Sequence, residues 1–126
     1  MNRRSRAGAF LLMLFFGSLA RCFAQGIPPE AVIETAKLGA AAVKHPVEKM
    51  RVIYDEGNRQ WEDFIKSLAQ MYSQNSIPMP SIIDDLKGKH YQAVCFVPLE
   101  GQEKYGSLWI FVDMATGEVL GNWYYG

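Results

Sequence analysis

One stretch of the sequence decides the fold: Tyr105-Gly106-Ser107-Leu108-Trp109-Ile110-Phe111-Val112-Asp113-Met114-Ala115-Thr116-Gly117-Glu118-Val119-Leu120-Gly121-Asn122-Trp123-Tyr124. Residues 105–112 and 118–124 are rich in aromatic and β-branched side chains, which favour strands. Between these two segments, Asp113 can start a tight turn and Gly117 can adopt the left-handed conformation that the turn requires. The run therefore predicts a β-hairpin.

One more strand is predicted just before this hairpin. Residues 90–97 contain Tyr91-Gln92-Ala93-Val94-Cys95-Phe96-Val97, and a polar turn at residues 100–103 separates them from the next strand. Three strands joined by short turns indicate an antiparallel meander.

Residues 59–74 are predicted to form the clearest helix. Their apolar side chains recur at helical spacing and form one broad stripe: Trp61, Phe64, Ile65, Leu68, Met71 and Tyr72. Pro78 and Pro80 end this helix, and a short helical turn is predicted from Ser81 to Leu86, followed by Gly88.

The segment before that helix predicts further helical structure. Residues 30–43 are alanine-rich with apolar positions at helical spacing, and the residue before Pro46 disfavours helical geometry, so the helix ends there. We expect Pro46 to begin a second helix that reaches Tyr54, although residues 50–54 alone also fit a short strand.

Helices that precede an antiparallel meander indicate the α+β class. We predict a single α+β domain over residues 25–126, with the helices packed on one face of a small sheet of about three to four strands.

Residues 1–24 have the pattern of a secretory signal peptide. Asn2 to Arg6 is basic, Ala7 to Leu19 is apolar and too short for a stable anchor, and Ala24 is a small residue suited to cleavage before Gln25. We therefore expect a periplasmic or secreted protein with no stable membrane anchor after cleavage. Lipid modification of Cys22 is the alternative, disfavoured because Arg21 is neither small nor neutral.

The charge of the mature chain argues against nucleic-acid binding. Of the 13 basic residues, 4 lie in the predicted signal, which leaves 9 basic against 13 acidic residues and a net charge near −4. Non-specific binding to nucleic acid needs a basic surface.

Few residues suggest catalysis, and we predict no metal, no cofactor and no catalytic group. Cys95 is the one cysteine outside the predicted signal, and free cysteine is usually a small buried residue. His90 and Cys95 would point to opposite faces of one strand, and neither His45 nor His90 has a second ligand at metal-binding spacing. The adjacent carboxylates at 55–56, 62–63 and 84–85 diverge on a helix, which suits solvated faces and caps better than acid–base chemistry.

The predicted hairpin has a surplus of aromatic side chains. If residues 113–118 form the turn and Val112 faces Val119, one face of the hairpin carries Trp109, Phe111, Leu120, Asn122 and Tyr124. We predict a partner-binding surface formed by Tyr105, Trp109, Phe111, Asn122 and Tyr124, since Trp and Tyr are common at interface hot spots. The alternative is that the N-terminal helix covers these aromatic side chains, or that they are simply strand formers.

Two segments resemble the PepSY domain, a small extracytoplasmic module of propeptides and membrane-associated proteins. Tyr91 to Val94 resembles one of its strands. A second segment resembles its closing hairpin: Leu108-Trp109-Ile110-Phe111-Val112-Asp113-Met114-Ala115-Thr116-Gly117-Glu118-Val119-Leu120. The resemblance covers roughly 30 residues and implies a PepSY-like or cystatin-like arrangement and a non-catalytic module that binds or inhibits an enzyme.

These features favour the hypothesis of a non-enzymatic extracytoplasmic protein that docks on and inhibits another protein. It would act either as an enzyme inhibitor or as an immunity protein that neutralises a toxin. Two alternatives remain: a small NTF2-like enzyme with a hidden acid–base pocket, and an assembly subunit of an envelope complex.

Overall fold

A computed structural model describes residues 26–125 of the chain. Its helices are α1 (Pro29–Ala42), α2 (Arg59–Gln74) and α3 (Ile82–Leu86), and its strands are β1 (Met50–Tyr54), β2 (Tyr91–Pro98), β3 (Ser107–Asp113) and β4 (Val119–Tyr125). Short 3-10 turns at Val47–Lys49, Glu56–Asn58 and Glu103–Tyr105 precede β1, α2 and β3.

The four strands form one antiparallel sheet in the order β1-β2-β3-β4. Each strand pairs with its neighbour in sequence, so β2 and β3 are central while β1 and β4 are edges. This architecture confirms the predicted α+β class and the antiparallel meander, with four strands.

Small residues of α1 pack on one face of the sheet. Val32, Ala36 and Ala40 recur every four residues and are completely buried against apolar side chains of β2 and β3. Gly39 lets the helix come closer still, because a Cβ at this position would lie 3.2 Å from Val119 Cγ2. We call this side of the sheet the α1 face.

Helices α2 and α3 cover the opposite side, which we call the α2 face. Trp61 of α2 is buried there, together with Ile82 and Leu86 of α3. The prediction that the helices pack on one face is therefore wrong. The segment between α1 and α2 contains β1, and the chain crosses this edge of the sheet before α2 begins, so α2 lies on the other side.

A buried polar cluster fixes the start of α2. The Asp55 carboxylate is 2 % exposed and accepts hydrogen bonds from the backbone N–H groups of Gln60 (3.0 Å) and Trp61 (2.8 Å). The Asn58 amide donates to a β2 carbonyl at 2.9 Å and accepts from a β2 N–H at 2.7 Å. Unsatisfied N–H groups of the first helical turn thus find acceptors while α2 is joined to the sheet.

The prediction for residues 59–74 agrees with α2, and that for residues 30–43 agrees closely with α1. The helix expected from Pro46 to Tyr54 is wrong, because only a 3-10 turn forms there and residues 50–54 make strand β1. Val52 and Ile53 are β-branched, and they lie on opposite faces of the sheet beside the two cores.

A β-bulge changes the faces of β4 from those we predicted. The register shifts between Phe111 and Val112, so that Val112 pairs with Val119 while Phe111 pairs with Gly121. One additional residue of β4 thus lies between these pairs, which moves every later side chain to the opposite face. Trp123 therefore lies on the α2 face with Trp109 and Phe111, whereas the predicted face of these two residues carried Asn122 and Tyr124.

The predicted signal peptide and Cys22 lie outside the described residues. Among residues 26–125, no helix is long and apolar enough to cross a bilayer.

Candidate functional site

The structure does not bring the five predicted binding residues together on one surface. Trp109 is 6 % exposed and Phe111 is completely buried. Both lie under α2, where the Trp61 ring is 5.1 Å from the Trp109 ring and 4.5 Å from the Phe111 ring. These two residues belong to the core of the α2 face and are not available to a partner.

Asn122 and Tyr124 lie on the α1 face as a consequence of the bulge. In the sheet they pair with Ile110 and Leu108, which belong to the core under α1. The Tyr124 ring packs 5.0 Å from the His45 ring, just after the end of α1, and Tyr124 is 45 % exposed.

Tyr105 lies apart from both, in the 3-10 turn before β3. Its hydroxyl accepts a hydrogen bond from Lys49 Nζ at 3.3 Å, and Lys104 Nζ lies 5.2 Å from the centre of its ring. Tyr105 is half-buried against the core of the α1 face, so it links the loop after β2 to the turn before β1.

An exposed surface nevertheless remains along the outer edge of β4. Val119, Asn122, Tyr124 and Tyr125 are all exposed, and Tyr125 is 50 % exposed. We call these four residues the β4 edge surface. Tyr125 lies on the α2 side, where its ring is 5.2 Å from the Phe64 ring, and Tyr124 lies on the α1 side, so aromatic side chains flank the strand on both faces.

The two edge strands differ in charge. None of the seven residues of β4 is charged, and its outer backbone groups have no strand partner within residues 26–125. The five-residue β1 carries the exposed Arg51 at its second position and follows Glu48 and Lys49. Charged side chains are a common protection of an edge strand against pairing with other chains, and β4 lacks this protection.

A pocket opens on the α2 face between α2, α3 and the start of β2. Its volume is about 260 Å³. Five aromatic or aliphatic residues form its walls: Trp61, Ile65, Ile83, Leu86 and Tyr91. Two charged residues of α2, Glu62 and Lys66, complete the lining and are themselves exposed. Sequence reasoning missed this pocket because its walls come from three elements whose packing no periodicity encodes.

The environment of Tyr91 is influenced by a charged residue of the same pocket. Burial raises the pKa of the Tyr91 phenol, and the negative charge of Glu62 raises it further, while Trp61 acts in the opposite direction. The phenol of Tyr91 therefore stays protonated over a wider pH range than an exposed tyrosine.

The thiol of Cys95 is inaccessible in the folded protein. Cys95 is 4 % exposed beneath α2, and burial, with a smaller contribution from Asp55, raises its pKa to about 12. His90 is exposed, consistent with the two side chains not forming a catalytic pair. Within the described part of the chain, no three His, Cys, Asp or Glu side chains are grouped as a metal site would require.

Comparison of the chain with protein-family models, with curated proteins and with solved structures finds no match in any of the three.

Proposed function

We propose that this chain is a non-enzymatic, periplasmic or secreted protein that docks on another protein through the β4 edge surface and inhibits it. The secretory pattern of residues 1–24 and the acidic mature chain support the location and the kind of partner, as argued from the sequence. The resemblance of the C-terminal hairpin to PepSY modules supports an inhibitory role, either toward an enzyme or toward a toxin.

The observation that carries this proposal is the contrast between the two edge strands. β4 has seven uncharged residues, its outer backbone groups pair with no strand within residues 26–125, and Tyr124 and Tyr125 flank it about half exposed. An extended segment of a partner can add to such an edge, with main-chain hydrogen bonds giving affinity and side chains giving specificity. Tyrosine is enriched among the residues that dominate binding energies.

The test is affinity capture with residues 25–126 from the cell-envelope and secreted fractions. Three baits are compared: the natural sequence, a Tyr124→Ser/Tyr125→Ser variant, and Tyr72→Ser, which makes one substitution of the same kind on α2. We expect one dominant partner that binds the natural protein and the Tyr72→Ser control but is lost from the edge variant. A partner retained equally by all three baits, or no partner, would contradict docking at β4.

Inhibition is tested separately on the captured protein. Adding purified residues 25–126 should lower the activity of the partner in a saturable manner, and the edge variant should require at least about tenfold more protein, since two interface tyrosines are together worth more than 1.4 kcal/mol. Full partner activity at saturating binding would exclude the inhibitory role and favour an assembly subunit.

A further inference from the structure

The pocket between α2 and α3 is separate from the β4 edge surface, and its size defines what it can hold. An apolar cavity of about 150 Å³ holds one benzene molecule. The pocket, at about 260 Å³, has room for one aromatic ring or branched aliphatic group with a few further atoms. It is too small for a large cofactor, because ligand sites for drug-sized molecules begin at roughly 300 Å³.

The walls of this pocket are held in place before any ligand arrives. Trp61 is 2 % exposed, its ring packs edge-on against Phe111, and its backbone N–H donates to Asp55. Leu86 is 5 % exposed on the opposite wall. A site with immobilised walls loses little conformational entropy on binding, which favours a small ligand.

Charges of opposite sign lie beside this apolar space. Glu62 and Lys66 are one helical turn apart on α2, a spacing at which Glu and Lys often form an ion pair. The ion pairs present in residues 26–125 are Lys37–Glu34 and Lys87–Asp84, so neither Glu62 nor Lys66 has a partner there. Both side chains line the pocket, so both charges are available to a ligand bound there.

We propose that this pocket binds a free apolar α-amino acid, with its side chain between Trp61, Ile83 and Leu86, its ammonium group at Glu62 and its carboxylate at Lys66. Charge complementarity selects this class of ligand. A residue inside a peptide carries neither charge of the α-carbon head group, an aromatic amine carries only the positive one and an aromatic acid only the negative one. The zwitterion alone can pair with both side chains.

The test follows the indole N–H signal of Trp61 by NMR during titration, because Trp61 is the one tryptophan among the pocket residues. The probes are L-phenylalanine and L-leucine. The comparison compounds are phenethylamine, 3-phenylpropionate, N-acetyl-phenylalaninamide and glycine. We expect saturable shifts with both apolar amino acids and no binding of glycine. Each phenyl compound that lacks one or both charges of the head group should bind about two- to fivefold more weakly than L-phenylalanine, or more weakly still.

Two exposed-site variants identify the charges that act. Lys66→Gln should weaken the binding of L-phenylalanine about two- to fivefold, to the affinity that the natural protein has for phenethylamine. Glu62→Gln should lower the affinity for L-phenylalanine to that of the natural protein for 3-phenylpropionate. Lys37→Gln on α1 is the matched control and should leave binding unchanged.

Four results would overturn the proposal. They are the absence of a Trp61 shift with either amino acid, equal affinity for N-acetyl-phenylalaninamide, equal affinity for either single-charge compound, and unchanged binding in both charge variants. Equal affinity for the uncharged amide would assign the pocket to a side chain of a peptide or protein.

Discussion

The α1 face and the α2 face of the sheet bury their apolar surface in different ways. Under α1, the helix contributes Val32, Ala36 and Ala40, small side chains that bring the helix backbone close to the strands. Under α2, the contact is made by a cluster of aromatic rings, in which Trp61 lies 4.5–6.2 Å from four others: Phe64, Trp109, Phe111 and Trp123.

The two modes of packing should respond to opposite changes. Aromatic side chains bury 150–250 Å² each, so truncating one removes a large apolar contact and leaves a cavity. The buried side of α1 has only small side chains, so it has little to lose by truncation, but it has no space for added atoms. The pocket occurs on the α2 face, where α2 and α3 leave space between large side chains.

The largest effect is expected from truncation on the α2 face. Trp61→Ala should lower the free energy of unfolding by about 3–5 kcal/mol, because it removes the ring that contacts the rest of the aromatic cluster. For a domain of this size, the melting temperature should fall by at least about 12 °C. Thermal denaturation followed by circular dichroism measures this change.

The matched control is Met71→Ala on the same helix, since Met71 is 45 % exposed. It should change stability by about 0.5 kcal/mol or less. Equal losses in the two variants would mean that the aromatic cluster does not stabilise the α2 face.

Enlargement should have the next largest effect, on the α1 face. Ala36→Leu adds three carbon atoms to a side chain that is completely buried between α1 and the sheet, and overpacking of this kind costs about 1–3 kcal/mol. Ala41→Leu makes the same change at an exposed position of the same helix and should be nearly neutral. Urea denaturation of both variants tests the prediction, and an unaffected Ala36→Leu protein would show that α1 is loosely packed.

Removal of the buried cap should have a smaller effect that is confined to the start of α2. Asp55→Ala leaves the N–H groups of Gln60 and Trp61 without their acceptor, and losing such a cap costs about 0.5–2 kcal/mol. Asp63→Ala removes an exposed carboxylate from the same helix and serves as the control. If amide hydrogen exchange at residues 60–61 is equally slow in both variants, Asp55 does not act as the cap.

Local periodicity predicted the elements of this fold better than their arrangement. Sixteen residues of α2 carry an apolar stripe with several matches to helical spacing, so its bounds could be read from the sequence. Strand β1 has only five residues, too few for its period to exclude a helix. Which face α2 covers depends on the path of the chain through the 3-10 turn after β1, and that path is set by the buried contacts of Asp55 and Asn58.

The candidate sites were harder to predict for the same reason. The binding surface proposed from alternation contained Trp109 and Phe111, which are core residues, because hydrophobic pattern alone does not say whether a helix covers a face. One bulge residue in β4 placed Asn122 and Tyr124 on the opposite side from Trp109. The additional residue, Leu120, lies between Val119 and Gly121 without a change in polarity that would have indicated the bulge.

The smallest effect on stability is expected from Cys95, which reports whether the α2 face stays closed at high pH. Its native pKa of about 12 lies above the ordinary thiol value of 9.0, so between pH 9 and 12 the native state holds a proton that the unfolded state has lost. Stability should therefore fall as pH rises through this window, by about 1 kcal/mol at pH 10.

Cys95→Ala removes this contribution while every tyrosine and lysine titrates as before, so the loss between pH 8 and 10 should be about 1 kcal/mol greater for the natural protein. Parallel stability curves, or labelling of the native thiol at pH 8 as fast as in denaturant, would mean that α2 opens readily and that its aromatic cluster holds the sheet less firmly than α1 does.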